Sequence, residues 1–149
     1  MDLLNQREQF FELLKYSNSL TKKNKFLYDE NRIKAQQLSD FLIIIENNVH
    51  YSERKKYLDI ARDFLANKLT PYDFSLCFMG IYEGINNKIS EMKKNEALEL
   101  ANWLNSNELQ VVELLARMYG CCDDFNVDSS IADEKELKSW AKTLIEKLQ

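Results

Sequence analysis

The chain has 149 residues, of which 45% are apolar and 11% aromatic, so it is too rich in hydrophobic side chains for a disordered protein. Three glycines and one proline supply few turn residues and few helix breakers, and the composition therefore favours long helices with short connections. The longest fully apolar run, Phe41–Ile45, falls far short of the roughly 20 residues that a membrane span needs. Residues 1–14 contain four charged side chains, so we expect no apolar signal core and no membrane association.

The cysteines and the single histidine limit the chemistry that the chain can carry out. Cys77, Cys121 and Cys122 are odd in number and lack the spacing of a disulfide framework, which predicts reduced thiols. We therefore expect a cytoplasmic protein, or one of an organelle stroma if the gene is organellar. With one histidine and no Cys-x-x-Cys pair, the sequence predicts no metal site, and we expect no cofactor.

The first third of the chain predicts two helices that form a hairpin. The first covers Asp2–Asn18, and the second covers Asn24–Asn47 with apolar residues recurring at intervals of three and four. His50 follows the second helix, where we expect a capping or surface group without a functional role.

Two further helices are predicted in the middle of the chain. Ser52 is a suitable N-cap for the third helix. Thr70 followed by Pro71 is a strong start signal for the fourth. Gly80 and Gly84 lie four residues apart within the fourth helix, and we expect them to allow the close approach of a neighbouring helix.

The last third predicts a fifth helix within Asn95–Tyr119 and a final one that begins near Asp133. Ser106 is a candidate cap for a second piece of the fifth helix, and Gly120 a candidate C-terminal stop. No segment alternates with a period of two, so the sequence predicts an all-α protein.

No arrangement typical of an enzyme is present. A catalytic triad could use only His50, and no nucleophile turn lies near it. Gly80, Gly84 and Gly120 have the wrong spacing for a phosphate-binding loop. We therefore expect a protein that is not an enzyme.

The negative charge is concentrated in the last third of the chain. Residues 1–50 carry seven basic and seven acidic groups, and residues 51–104 carry eight of each. Residues 105–149 carry five basic and nine acidic groups, which accounts for the whole net charge of −4. This distribution fits a solvated loop, and it also fits a landing site for a basic protein; it disfavours direct nucleic-acid binding there.

The second part of the chain resembles the colicin D immunity family. The resemblance is carried by "YLDIARDFLANKLTPYDFS" (Tyr57–Ser75), by the apolar segment "ELLARM" and by the closing "LIEKL". It covers residues 57–149, while residues 1–56 have no counterpart. The resemblance implies an antiparallel four-helix bundle over residues 57–149, to which residues 1–56 add an amino-terminal helical extension.

The resemblance also implies a function. Members of this family bind and block a tRNA-cleaving toxin domain, and they present carboxylates in place of RNA phosphates. The inhibitory acids lie at the end of the third bundle helix and in the turn after it, which here is Arg117–Asp128; the family's glutamate at that helix end and its proline in the turn have no counterpart. The charge distribution and the resemblance together predict a surface that binds a basic protein. Its central residues are Asp123, Asp124 and Asp128, and its rim consists of Glu134 and Glu136.

A second hypothesis comes from a different class of protein. The amino-terminal extension has a wide apolar surface around Phe41–Ile45, which favours a helical accessory or scaffold subunit of a larger assembly. The acidic last third fits either hypothesis.

Overall fold

The computed structural model describes residues 3–104, 110–128 and 132–149. No strand occurs within these ranges, and the prediction of an all-α protein is confirmed. The antiparallel four-helix arrangement of residues 57–149 stays a prediction. The helices are α1 (Leu3–Thr21), α2 (Leu27–Glu30), α3 (Arg32–Ser52), α4 (Arg54–Leu65), α5 (Pro71–Lys94), a 3-10 helix (Leu98–Trp103), α6 (Val112–Val127) and α7 (Glu134–Leu148).

The chain forms two compact units. The first comprises Met1–Val49 and Asn87–Glu108, and the second comprises His50–Asn86 and Leu109–Gln149. Each unit therefore combines two separate stretches of sequence. The division at residue 56, which comes from the resemblance rather than from packing, stays a prediction.

The first unit has an apolar core and two polar ties. Phe10 on α1 is fully buried and meets Phe41 on α3 edge-on, with ring centroids 5.9 Å apart. The Asn18 amide donates a hydrogen bond of 2.9 Å to the Lys93 carbonyl, which also accepts from the Glu96 N–H at 3.1 Å. The Asn48 amide donates to the Trp103 carbonyl at 2.6 Å. These bonds hold α1 at the end of α5 and α3 at the 3-10 helix.

In the second unit α4 packs against α7. Each helix buries one face, as their strongly amphipathic sequences require. The Phe64 ring stacks on the Phe74 ring of α5 with centroids 4.4 Å apart. The buried residues of the two helices are Tyr57, Leu58, Ala61 and Phe64 on α4, and Leu137, Ala141, Leu144 and Leu148 on α7.

Two predicted helix starts are confirmed. The Asp73 N–H donates to the Thr70 hydroxyl at 3.1 Å, so Thr70 caps α5. Asp133 caps α7 by accepting from the Glu136 N–H at 2.9 Å. Both caps are local features, because the bonded groups lie three residues apart in the sequence.

Several other helix boundaries were predicted wrongly. Ser52 ends α3 instead of capping α4, which follows Glu53 without a side-chain cap. The helix predicted over Asn24–Asn47 is interrupted at Asn31, whose extended backbone ends α2. The Asn31 side chain accepts from the Lys34 N–H at 3.0 Å and starts α3.

The predicted fifth helix is replaced by the 3-10 helix and α6. Its candidate cap, Ser106, lies outside the described residues. Gly120 does not stop a helix, because α6 continues through it to Val127. Met118, Cys121 and Cys122 on both sides of Gly120 are buried. Burial of side chains such as these outweighs the roughly 1 kcal/mol by which glycine disfavours a helix.

His50 lies inside α3 and in the core of the second unit, so the expected surface position is wrong. It is 2% exposed, and its ring stacks on Tyr82 with centroids 5.1 Å apart. Its Nε2 is 2.8 Å from Asn86 Oδ1, which can only accept, so Nε2 carries the proton. Nδ1 is 2.9 Å from the Tyr57 hydroxyl and accepts from it in the neutral ring. Burial lowers the pKa of His50, although the bond to Asn86 and the nearby charge of Glu53 act in the opposite direction.

We predict that this histidine makes the protein less stable in mild acid. His50 stays neutral in the folded chain while the unfolded chain takes up a proton, so its stabilising contribution is complete above about pH 6.5 and is lost as the pH falls. The loss should approach at most about 1.4 kcal/mol per pH unit. Urea unfolding between about pH 7.5 and about pH 5.5 measures it, with His50→Gln as the control whose slope should be smaller. Equal slopes in the two proteins would contradict the prediction.

The glycines on the helices do not sit at close contacts. A Cβ atom added to Gly80, Gly84 or Gly120 would meet no side chain within 4 Å, and all three residues are exposed. The expectation that Gly80 and Gly84 allow a close helix approach is therefore wrong. These glycines destabilise their helices, and no close packing contact requires a glycine at these positions.

We accordingly predict that Gly84→Ala and Gly120→Ala each stabilise the protein by about 0.4–1 kcal/mol, because alanine narrows the unfolded ensemble and fits the helical backbone. Thermal unfolding should show a rise of roughly 1–4 °C per substitution. The matched control is Ala116→Gly at an exposed position of α6, which should lower the melting temperature by a similar amount. A fall with either alanine would show that the glycine has a role that the contacts do not reveal.

Candidate functional site

The end of α6 carries the first part of the predicted acidic surface. Asp123 and Asp124 are exposed on the last turns of the helix rather than in a loop. Asp128 follows the helix with an extended backbone, and its N–H closes the last turn on the Asp124 carbonyl at 2.8 Å. The Asn126 amide holds this turn against α5 by donating to Ser75 Oγ at 2.9 Å and to the Cys122 carbonyl at 2.8 Å.

These three acids lie at the unfavourable end of their helix. The C-terminus of a helix carries a partial negative charge, so a nearby anion costs about 0.3–1 kcal/mol. The last turn of α6 itself contains no basic residue. The helix dipole alone would favour lysine or arginine at these positions.

The start of α7 carries the second part of the acidic surface, and there the helix favours acids. Asp133 is the N-cap, while Glu134 and Glu136 lie in the first turn, near the partial positive charge of the helix N-terminus. All three side chains are exposed. Their local roles are thus sufficient to explain Asp133 and, in part, the two glutamates.

Acids from both helices meet around Cys121. The thiol is 7% exposed, and its pKa is raised to about 11, first by burial and then by the charge and hydrogen bond of Glu136. Asp124 and Asp133 add smaller contributions in the same direction. The structure therefore brings two of the predicted site residues, Asp124 and Glu136, together with Asp133 at one place.

Asp123 belongs to a different part of the surface. There the Tyr119 hydroxyl donates a short hydrogen bond to the Glu83 carboxylate of α5. This bond is the main reason that the pKa of Tyr119 is raised to about 12, and the charge of Asp123 adds to the effect. Glu83 extends the acidic surface and was missed from sequence, because it lies 36 residues from Tyr119 and no local pattern connects them.

Glu134 is partly neutralised. Its carboxylate lies 3.5 Å from the Lys138 ammonium one turn further along α7. The same ammonium contacts Asn67 Oδ1 at 3.3 Å and lies over the Phe64 ring. Glu134 is therefore the weakest member of the predicted set as a charge offered to a partner.

Other chemistry is limited in the part of the chain that the structure covers. Among the described residues, no group of three or more His, Cys, Asp and Glu side chains could hold a metal ion. None of the described helices combines the length and the apolar character needed to cross a bilayer.

Comparison with known proteins gives no relative: no protein-family model, curated protein or solved structure matches this chain. The resemblance to the colicin D immunity family therefore depends on the quoted segments alone.

The cysteines next to the acidic surface generate a prediction. All three are free, but only Cys77 is exposed. Burial is the main cause that raises the pKa of Cys122 to about 12, and the pKa of Cys121 is also raised, so both thiols stay protonated and unreactive near neutral pH. We expect Ellman's reagent to modify one thiol rapidly in the native protein and three in denaturant. Cys77→Ser is the control and should abolish the rapid phase; a rapid phase that persists would show that α6 opens at Cys121.

Proposed function

We propose that this protein is a non-catalytic inhibitor that binds the basic, tRNA-cleaving domain of a toxin. The surface that would bind it consists of Asp123, Asp124 and Asp128 at the end of α6, with Glu134 and Glu136 at the rim. The proposed place of action is the cytoplasm, or the stroma if the gene is organellar. The observation that carries the proposal is the position of three acids at the negative end of α6.

The unfavourable position of these acids near the negative end of their helix is the argument for a binding partner. Charges placed against the dipole of their own helix are expected mainly at functional sites, and Asp123 and Asp124 are placed in this way. A concentrated field of one sign can speed the association of an oppositely charged protein by roughly 10–1000-fold. The same field would repel nucleic acid, so a basic protein is the better match for these carboxylates.

The resemblance supplies the class of partner. In the colicin D immunity family, carboxylates replace the RNA phosphates that the toxin domain would otherwise bind. The corresponding region here is Arg117–Asp128, and the exposed positions of Asp123 and Asp124 on α6 are compatible with that role. Glu83, held by Tyr119, supplies a further carboxylate on the Asp123 side.

The second candidate function, an accessory or scaffold subunit of a larger assembly, is favoured by a feature of the first unit. Phe26 and Ile33 are 67% and 75% exposed, and Ile43 on α3 is 46% exposed. Contiguous exposed apolar side chains are typical of a protein interface, and the neighbouring residues Ile43 and Ile44 of α3 are both exposed. A pull-down that recovers a stable multi-subunit complex would favour this function, whereas a toxin gene directly upstream would favour the inhibitor.

We predict that changing Asp123, Asp124 and Asp128 together to asparagine separates binding from stability. The free energy of unfolding should stay the same or rise by up to about 1 kcal/mol, because the conflict with the helix dipole is relieved. Association with a catalytically inactive tRNA-cleaving toxin domain should become slower and less dependent on salt. Stopped-flow mixing over a range of salt concentrations measures both effects.

The matched control removes three charges elsewhere on the second unit. Asp59→Asn, Asp63→Asn and Glu146→Gln affect exposed residues on α4 and α7 and change the net charge equally. This control should retain the wild-type association rate apart from a small general effect of net charge. If the α6 variant associates as fast as wild type at every salt concentration, the acids are not the binding surface.

A further inference from the structure

One side of α3 in the first unit borders an open groove. The groove has a volume of about 280 Å³. Ser17 of α1 and Leu27 of α2 form one wall. The α3 residues along it recur at intervals of three and four, as one helix face requires: Ala35, Leu38, Ser39, Leu42, Ile43 and Glu46.

Several positions on this side of α3, which we call the α3 stripe, are related by symmetry in sequence about Ser39. Ala35 lies four residues before Ser39 and Ile43 four residues after it. Arg32, which begins α3, and Glu46 lie seven residues before and after it, or about 10.5 Å in each direction at 1.5 Å per residue. Seven residues are nearly two helical turns, so Arg32, Ser39 and Glu46 share one face.

In a two-fold symmetric pair of antiparallel α3 helices centred on Ser39, these positions complement one another. Arg32 of each copy faces Glu46 of the other, and Ala35 faces Ile43, so a small residue meets a large one. The small Ser39 side chains meet on the axis. A two-fold dimer needs such a self-complementary patch, and each contact then occurs twice.

The charges at the two ends of the stripe lie in unfavourable surroundings. Arg32 lies at the positive end of α3, where a cation is unfavourable and no acid occupies the first turn. Its guanidinium lies over the Tyr28 ring at 5.1 Å from the centroid. Glu46 is half-buried, and desolvation raises its pKa against the opposing effect of Lys93. Each group would therefore gain from an opposite charge.

From this geometry we propose that two copies of the chain associate through α3, antiparallel and centred on Ser39, with Arg32 of each copy paired with Glu46 of the other. The inference is independent of the toxin inhibitor proposed above, because it concerns a different surface and a different partner.

Sedimentation equilibrium of the full chain over a concentration series tests the pairing. Wild type should form a dimer, while Arg32→Glu and Glu46→Arg should each weaken dimerisation by about tenfold or more, since like charges then face each other twice. An equimolar mixture of the two variants should form a dimer again, because both contacts join a glutamate to an arginine. The double variant should also form a dimer. The control is Lys23→Glu, which reverses one charge as Arg32→Glu does, at an exposed residue between α1 and α2. This variant should leave the dissociation constant unchanged.

Circular dichroism establishes that each variant is folded. Glu46 is half-buried, so if Glu46→Arg does not fold, Ile43→Asp replaces it and should weaken dimerisation as strongly as Arg32→Glu. The proposal is overturned if wild type stays monomeric up to millimolar concentration. It is equally overturned if Arg32→Glu leaves the dissociation constant unchanged, or if the mixture of two folded charge variants remains monomeric.

Discussion

Burial of Cys121 and Cys122 keeps α6 helical beyond Gly120, and the acidic surface depends on that continuation. If the helix ended at Gly120, Asp123 and Asp124 would lie in a loop, where free acids are common. Because it continues, Asp123 and Asp124 lie about one turn from the negative end of the helix. The Asn126 bond to Ser75 anchors the same turn to α5 and keeps it from fraying. Side-chain burial is thus the constraint that turns a run of acids into a defined surface.

The acidic residues of α6 and those of α7 have different structural explanations. Asp133, Glu134 and Glu136 stand where a helix N-terminus stabilises negative charge, so part of their presence follows from the fold. Asp123, Asp124 and Asp128 lie near the negative end of α6, where the helix dipole disfavours anions. Counting the acids in the sequence treats both sets alike, whereas the direction of the two helices separates them. The α6 set therefore carries more weight as evidence for a partner.

What the sequence predicted correctly was mostly local. Thr70 and Asp133 cap their helices through bonds that span three residues, and their residue types alone identify such caps. Gly120 and Ser52 also have locally plausible roles, but tertiary burial and the continuation of α3 override them. His50 was missed for the same reason: its partners Tyr57 and Asn86 are 7 and 36 residues away, and no pattern in the sequence connects the three. The acidic residues were identified from charge, but their grouping around Cys121 and beside Glu83 required the packing of α6 against α7 and the bond to α5.

The two proposed surfaces differ in the charges that they carry, and these charges determine what each surface can bind. A surface that consists mainly of carboxylates repels a second copy of itself, so the partner proposed for the end of α6 is a different, basic molecule. The α3 stripe carries one cation and one anion at equal distances from Ser39, so an antiparallel copy meets it with the opposite sign at both ends. A foreign helix could match this stripe only by presenting the same order of charges and side-chain sizes. Self-association needs no such second sequence, and this is the reason that the second copy is the best-supported occupant of the α3 groove.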